Sequence, residues 1–235
     1  MGKKQSSLLL IIFFLFVLLI GSYIVFPGQH YLLFSFLIIG TILFLFFRRF
    51  ELKEVQGREI VLLSMLAAIG AVSRVPFAGL PSVQPTSFVI ISAGYVFGRE
   101  SGFLVGAAAA IVSNIFLGQG PWTPWQMFSW GLMGFSAGAF RRLHLMEKVW
   151  FQCAFGFVWG FLFGWIMNLW IIVGNIENFS FEFFLGIYIM SFSHDLAHAL
   201  SNVFFIVLFS RKWVKILNRF KKKYGLLSEN NESNL

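Results

Sequence analysis

The residues best suited to chemistry form one polar cluster within an apolar run, His194-Asp195-Leu196-Ala197-His198. On a helix, His194 and His198 share a face because they are four residues apart, and Asp195 lies beside His198 at a spacing of three. The H-x-x-x-H spacing resembles that of zinc hydrolases, although Asp195 replaces their usual Glu and no third ligand is evident. The cluster therefore indicates a contact with a ligand, hydrogen bonds between helices, or an intramembrane metal-dependent hydrolase that uses all three side chains.

Amide side chains form a second group of candidates. Asn114, Gln126 and Asn168 each lie inside an apolar run. An amide both donates and accepts hydrogen bonds, which suits a polar organic ligand, but it can equally join two neighbouring helices. These three residues are therefore predicted either to line a binding site or to tie helices together.

Tryptophans accompany the amides. Trp122 and Trp125 lie next to prolines. They suit either a membrane–water boundary or a stacking platform, because an indole is apolar apart from one N–H. Trp130 and Trp165 lie deeper in their apolar runs, so we expect them to contact a ring system.

Two stiff segments adjoin these residues. Residues 118–126 contain Pro121 and Pro124, and residues 75–86 contain three prolines. Proline fixes φ and lacks a backbone donor, so neither segment can continue the helix before it. Rigid loops on a bundle of short helices indicate a preformed cavity that opens on their side.

The composition is that of an integral membrane protein embedded in a lipid bilayer. Of 235 residues, 58% are hydrophobic and only 12% are charged, whereas about a quarter of the residues in a soluble domain are charged. The single cysteine, Cys153, excludes a disulfide framework within the chain. The sequence also lacks the G-x-x-x-x-G-K-[ST] and G-x-S-x-G motifs of nucleotide hydrolysis and of serine hydrolases.

Eight apolar runs suit helices that cross a hydrocarbon core of about 30 Å. The fourth is short for a full span, so we expect it to be tilted, re-entrant or shielded by its neighbours. The runs cover residues 8–26, 31–47, 60–75, 87–97, 102–117, 124–140, 149–173 and 183–209. This order predicts a transmembrane hairpin (1–50), a charged cytoplasmic linker (51–59), a six-helix membrane domain (60–210) and a cytoplasmic tail, first basic and then polar (211–235).

Positive charge sorts the loops between these runs. Eight spans return both termini to one side, and every one of the 18 Lys and Arg residues except Arg74 falls on that side. The positive-inside rule then places both termini in the cytoplasm of a multi-pass protein of the plasma membrane, most simply a bacterial one. The net charge of +8 is therefore a topology signal and does not indicate nucleic-acid binding. Arg74, alone outside, could meet an anionic group of a substrate or pair with Glu177 or Glu182.

Small residues recur at helical spacing in three runs. Such faces let helices approach closely, and packing within the bundle accounts for most of them. The third run could instead present a face to a second membrane protein. The residues concerned are Ala67, Ala68, Gly70 and Ala71, then Gly102, Gly106 and Ala110, then Gly131, Gly134, Ser136 and Gly138.

The segment from residue 60 to residue 209 resembles the substrate-binding (S) components of energy-coupling factor (ECF) vitamin transporters. The resemblance lies in the proline-rich motif of residues 74–86 and the loop of residues 118–126. It also includes Asn114 after Ser113 and the pattern Asp195-x-x-His198-Ala199-x-x-Asn202. The proline-rich motifs look most like the branch linked to cobalamin and related corrinoids, although a wide aromatic mouth would also suit a flavin or a pterin.

The resemblance implies a non-enzymatic bundle that captures a vitamin from outside. Such a bundle docks on a transmembrane coupling subunit that carries two cytoplasmic ATPases, and it needs neither a cofactor nor a metal. Ala67 and Ala71 would contact that partner. The hairpin before residue 50 departs from the usual six helices and could shield a face or recruit a partner. The pocket would include Gln84, Gln119, Trp122, Gln126, Trp130, Asn168 and His194.

Three hypotheses therefore stay open. The first is a substrate-binding transport subunit, in which Arg74, Asn114, Trp165, Asp195 and His198 join the pocket residues. The second is an intramembrane metal hydrolase, and the third is a structural membrane subunit whose polar residues serve packing alone.

Overall fold

The computed structural model describes residues 57–225 except residue 143, together with helical residues between 37 and 48 that have gaps at 38, 42 and 46. Within these residues the chain is helical, without a strand. The first predicted span, most of the linker and the end of the tail lie outside this part of the chain. Ile39 and Leu43, from the second predicted span, are buried and belong to the same apolar cluster as the core of the bundle.

Six α-helices form the bundle, as predicted, and the all-α membrane fold is confirmed. Their order along the chain is α1 (Gly57–Ser73), α2 (Pro85–Phe97), α3 (Arg99–Leu117), α4 (Thr123–Ala139), α5 (Val149–Gly174) and α6 (Phe181–Tyr224). By length and composition, four described segments can cross a membrane: Gly57–Phe77, Arg99–Leu117, Val149–Gly174 and Phe181–Tyr224.

Proline, glycine and serine set several of the helix boundaries. Proline lies in the first turn of both α2 and α4, where no backbone donor is needed. Gly98, at φ 97°, separates α2 from α3, and Gly118, at φ 104°, ends α3; both angles lie in the left-handed region that favours glycine. The Ser180 side chain caps α6 by accepting a hydrogen bond of 3.0 Å from the Phe183 backbone N–H.

The short helix α2 lies at the centre of the bundle. All of its residues but Tyr95 are buried, and α1, α3, α4 and α6 all pack against it. A helix that is apolar on every side and surrounded by others has little need to span the full bilayer. Of the three explanations for its length, the structure therefore supports shielding by neighbouring helices.

Glycines bring two pairs of helices together. Gly102 and Gly106 of α3 face the backbone of α4 at Gly134 and Trp130, so closely that a Cβ atom at any of these glycines would overlap a carbonyl group. This contact agrees with the small-residue faces predicted for these helices. Gly156, Gly160 and Gly164 of α5 face α6 in the same way. Our sequence analysis missed this second seam, although its G-x-x-x-G-x-x-x-G spacing is a known contact pattern.

Helix α6 is longer than predicted. Its 44 residues extend for about 66 Å, roughly twice the hydrocarbon thickness. The helix continues through the basic stretch after residue 209 because this stretch still packs on α2. Trp213 lies against Phe88 with ring centroids 6.2 Å apart, Leu217 is buried, and the Lys221 Nζ donates to the Val96 carbonyl at 3.1 Å.

The bundle has two distinct ends. We call the end where α1, α3 and α5 finish the proline-loop end, because it carries residues 75–84 and 118–122. We call the other end, where α1 begins and α6 finishes, the basic end.

One prediction about α1 needs correction. Ala67 and Ala71, assigned to a contact with a partner, are 4% and 0% exposed. They face the interior because the neighbouring Gly70 brings α1 against Ala109 of α3. The exposed face of α1 instead carries Met65, Ala68 and Val72.

Candidate functional site: a polar network at the proline-loop end

The amide of Asn114 joins α3 to α4 at the proline-loop end. Its Nδ2 donates to Gln126 Oε1 at 2.7 Å and to Thr123 Oγ1 at 3.2 Å. Asn114 and Gln126 are both buried. The turn that begins at Gly118 reverses the chain, so the last turn of α3 and the first turn of α4 lie side by side. The two predicted amides therefore bind each other.

Arg74 extends this contact to α1. Its Nη1 donates to Ser113 Oγ at 2.6 Å and to Asn114 Oδ1 at 3.1 Å. The guanidinium carbon lies 4.8 Å from the centroid of the Trp130 ring, within the range of a cation–π interaction. The side chain is half-buried, and it turns into the bundle instead of pairing with Glu177 or Glu182.

Trp130 links the network to α2 and α6. Its Nε1 donates to Ser87 Oγ at 3.3 Å, and Ser87 Oγ is 2.7 Å from His198 Nε2. Phe163 of α5 packs against both rings, with centroid distances of 5.1 Å to Trp130 and 4.9 Å to His198. The indole, hydroxyl and imidazole are all buried, so each needs the partner that the structure provides.

Ser87 and His198 have the composition of a nucleophile and its base. A catalytic pair of this kind also needs a third group that orients the imidazole. The nearest candidate in the sequence, Asp195, accepts a hydrogen bond from Ser191 Oγ at 3.1 Å. The arrangement therefore supports hydrogen bonding within the network more than nucleophilic catalysis.

The loops close the network from above. The Gln84 backbone N–H donates to Ser201 Oγ of α6 at 3.0 Å. Gln119 is exposed; its Nε2 donates to the Ile111 carbonyl at 3.0 Å, and its Oε1 accepts from Thr123 Oγ1 at 3.0 Å. Trp122 is half-buried and packs on Trp170, with centroids 6.1 Å apart.

Several buried polar atoms at this end have no partner among the described residues. They are Gln84 Oε1, Trp125 Nε1 and Ser129 Oγ. Native proteins leave few such atoms, and each one needs an explanation, for example a bound molecule. All three belong to the first turn of α2 or the first two turns of α4, close in sequence to the network.

Asn168 and Asp195 form a separate group between α5 and α6. The Asn168 Nδ2 donates to Ser191 Oγ at 2.8 Å, and Ser191 in turn donates to the Asp195 carboxylate. Asp195 is 4% exposed and lies against Gly164, where only a glycine leaves room for the carboxylate. This group fits an interhelical hydrogen bond as well as it fits a ligand contact.

Two predicted site residues lie on the surface. His194 is exposed, whereas His198 is buried, so the two imidazoles do not converge on one point. Trp165 is 47% exposed and packs edge-on against Phe161 and Tyr188. Over residues 57–225, no group of three His, Cys, Asp or Glu side chains is placed to hold a metal ion. The described residues therefore offer the hydrolase hypothesis no ligand set.

The structure thus brings Arg74, Asn114, Gln126, Trp130 and His198 into one network, which reaches Gln119 through Thr123. Our sequence analysis did not assign roles to Ser87, Ser113, Thr123 and Phe163, which complete it. Hydroxyls and phenylalanines are too frequent in apolar runs to single these out. Their only signal was position, because Ser113 precedes Asn114 and Ser87 follows Gln84 by three residues.

A different kind of cavity lies at the basic end. It has a volume of about 600 Å³ and lies between α1 and α6, where Val61, Met65, Trp213 and Phe220 contribute to an almost wholly apolar lining. None of its lining residues belongs to the polar network. It therefore offers few of the hydrogen-bonding groups that a polar ligand needs.

Comparison with known proteins identifies the chain. A UPF0397 protein of Vibrio atlanticus (strain LGP32) is 30% identical over 93 residues, which cover 37% of this chain and 50% of that relative, so the match spans half of the relative's length. No solved structure matches. The family model for the substrate-specific component of ECF transporters matches residues 58–220, which include all six helices almost completely. The chain therefore belongs to the family of ECF transporter substrate-specific components.

Proposed function

We propose that this chain is the substrate-capturing membrane subunit of an ECF importer, and that the polar network at the proline-loop end is its binding site. The observation that carries this proposal is the convergence of Arg74, Asn114, Gln126, Trp130 and His198 from five different helices. A family of transport proteins needs a site for a small molecule. This network is the main concentration of buried, neutral hydrogen-bonding groups among the described residues.

The network can exchange its internal hydrogen bonds for bonds to a guest. In an apolar surrounding, an amide without a partner is costly. Asn114 and Gln126 bind each other in this structure, and a guest that offers a donor and an acceptor can replace each of them in turn. The unpartnered atoms of Gln84, Trp125 and Ser129 provide further points of attachment.

The orientation and partners follow from the charge pattern and the family. The proline-loop end faces the outside and the basic end faces the cytoplasm of a bacterial plasma membrane, with both termini inside. A transmembrane coupling subunit with two ATPases drives uptake. Because Ala67 and Ala71 are buried, the face of α1 that carries Met65, Ala68 and Val72 is the surface we propose for that subunit.

The substrate is a vitamin or a related micronutrient. A corrinoid is our first candidate, on the likeness of the proline-rich motifs in residues 74–86 and 118–126. Flavins and pterins are the alternatives, since Trp122 and Trp130 offer aromatic surfaces to either ring system. The three classes differ enough in mass and absorbance to be told apart directly.

The test is to purify the protein in detergent and identify by mass spectrometry the small molecules that remain bound. Binding is then measured for the protein and for Gln126→Leu. Gln152→Leu is a matched control, because Gln152 is also a buried glutamine but bonds to Met146 and Ser210 at the basic end. We expect Gln126→Leu to lower affinity about tenfold or more and Gln152→Leu to leave it unchanged. Equal losses in both variants would place the site elsewhere.

A further inference from the structure

The Arg74 guanidinium is a buried charge without a counter-charge. Its hydrogen bonds, to Ser113 Oγ and Asn114 Oδ1, both go from Nη1 to neutral acceptors. Among residues 57–225, no carboxylate forms an ion pair with it. The surrounding groups of the network, Trp130, Gln126 and Thr123, are also neutral.

Such an arrangement is costly unless something else completes it. A charged side chain within a membrane protein is expensive, and such residues usually pair with one another or with a ligand. The Trp130 ring offsets part of this cost, because its face attracts the guanidinium. A cation–π contact and two neutral hydrogen bonds still leave one positive charge at the centre of the network.

The geometry also leaves donors available. A guanidinium has five N–H donors in a planar fork. The structure uses Nη1 alone and leaves Nη2 and Nε without a partner among the described residues. Two parallel donors on one edge match the two oxygens of a carboxylate or a phosphate. Since Nη1 is fixed by Ser113 and Asn114, the direction of the remaining donors is restricted before a ligand arrives.

We propose that the substrate carries a carboxylate or a phosphate, and that Arg74 binds this anion. The inference rests on the proposed function, because it takes the polar network as the substrate site. The same chemistry is present in a phospholipid headgroup. Arg74 turns away from the lipid-facing surface toward the buried Ser113, Asn114 and Trp130, so a soluble anion is the source we favour.

The experiment uses matched pairs of probes that differ in one anionic group. The pairs are nicotinate and nicotinamide, pantothenate and pantothenol, riboflavin phosphate and riboflavin, and cyanocobalamin and its phosphate-free relative cobinamide. Thermal unfolding of the protein in detergent is measured with each probe. We expect at least one anionic member to raise the unfolding temperature while its neutral partner does not.

Variants then assign the effect to Arg74. Arg74→Gln keeps the hydrogen bonds to Ser113 and Asn114 within reach but removes the charge, and we expect it to weaken the anionic probe about tenfold or more. Arg211→Gln, which removes an exposed arginine at the basic end, should leave binding unchanged. If Arg74→Gln does not fold, Asn114→Asp tests the same point, because it retains Arg74 and supplies an internal carboxylate that should displace the probe.

Each other result overturns the inference. A neutral probe that binds as tightly as its anionic partner, and that depends on Gln126, excludes an anionic substrate but leaves the proposed function intact. A shift caused by phosphatidylglycerol and by none of the soluble anions assigns Arg74 to a headgroup. No shift from any anionic probe, or an equal shift in Arg74→Gln, also refutes the inference.

Discussion

Helices α3 and α4 meet in two different ways along their length. From the basic end to the middle, Gly102 and Gly106 press against the backbone of α4 at Gly134 and Trp130. At the proline-loop end the helices are joined by side chains instead, with Asn114 bonded to Gln126 and to Thr123. One helix pair therefore contains a contact made of shape alone and a contact made of hydrogen bonds.

The two contacts suit different tasks. Packed backbones gain many small dispersion contacts and offer no group that a ligand could use. Hydrogen-bonded amides add less rigidity, but each donor or acceptor can change partners at little cost when a ligand provides an equivalent one. We infer that the glycine seam keeps the bundle together while the polar network exchanges its partners.

The largest effect is expected at the seam. Gly134→Ala places a Cβ atom onto the Gly102 carbonyl, and we expect it to lower the free energy of unfolding by about 3 kcal/mol, since backbones cannot move aside cheaply. Gly186→Ala in α6 is the control, because nothing lies within 4 Å of its added Cβ atom. It should leave stability unchanged or raise it by up to about 1 kcal/mol. Thermal unfolding in detergent measures both; an unaffected Gly134→Ala would mean that the helices are not in contact there.

This seam shows what the sequence could predict. Glycine and alanine at intervals of four residues indicate close helix contacts, and they did so for α3 and α4. The helix limits were predictable to within a few residues from proline and glycine, except at α6. There, the basic residues after Phe209 suggested a tail, but Trp213 and Leu217 anchor the helix to α2. Such anchoring depends on a partner that is distant in the sequence, so periodicity alone does not reveal it.

The next effect is expected in the polar network. Asn114→Leu removes two donors and one acceptor from the network, and we expect a loss of about 2 kcal/mol, mainly because Gln126 keeps a buried oxygen without a donor. The double variant Asn114→Leu/Gln126→Leu should lose about 1 kcal/mol less than the sum of the two single changes. Additive losses in the thermodynamic cycle would show that the amides contribute independently and that the network is not a unit.

The network was harder to predict than the seam. Polar residues inside apolar runs identified Arg74, Asn114, Gln126 and His198, but not which of them meet. His194 and Trp165 had the same kind of signal, and they lie on the surface. Whether a face of a helix points inward depends on how the helix is rotated, and an apolar run in a membrane has too weak a moment to settle this rotation.

Helix α1 extends the comparison to a buried and an exposed face of one helix. Ala71→Leu adds volume to the interface with the bundle, and we expect a loss of about 2 kcal/mol. Ala68→Leu adds the same volume to the exposed face and should change stability by less than about 0.5 kcal/mol. If the exposed face docks on the coupling subunit, Ala68→Leu should reduce the amount of that subunit that co-purifies. Normal co-purification would remove this face from the proposed interface.

The smallest effect is expected at Gln119, which marks where the network meets solvent. Its side chain bonds to the Ile111 carbonyl and to Thr123 Oγ1, but it is exposed, so water can replace both partners in Gln119→Ala. Thr123 Oγ1 also retains its bonds from Asn114 and from the Gly120 backbone N–H. We therefore expect a loss of about 0.5 kcal/mol in unfolding free energy and no more than about a twofold loss of ligand affinity. A loss as large as that of Gln126→Leu in the same binding assay would extend the exchangeable part of the network outward, from the buried amides to the loop itself.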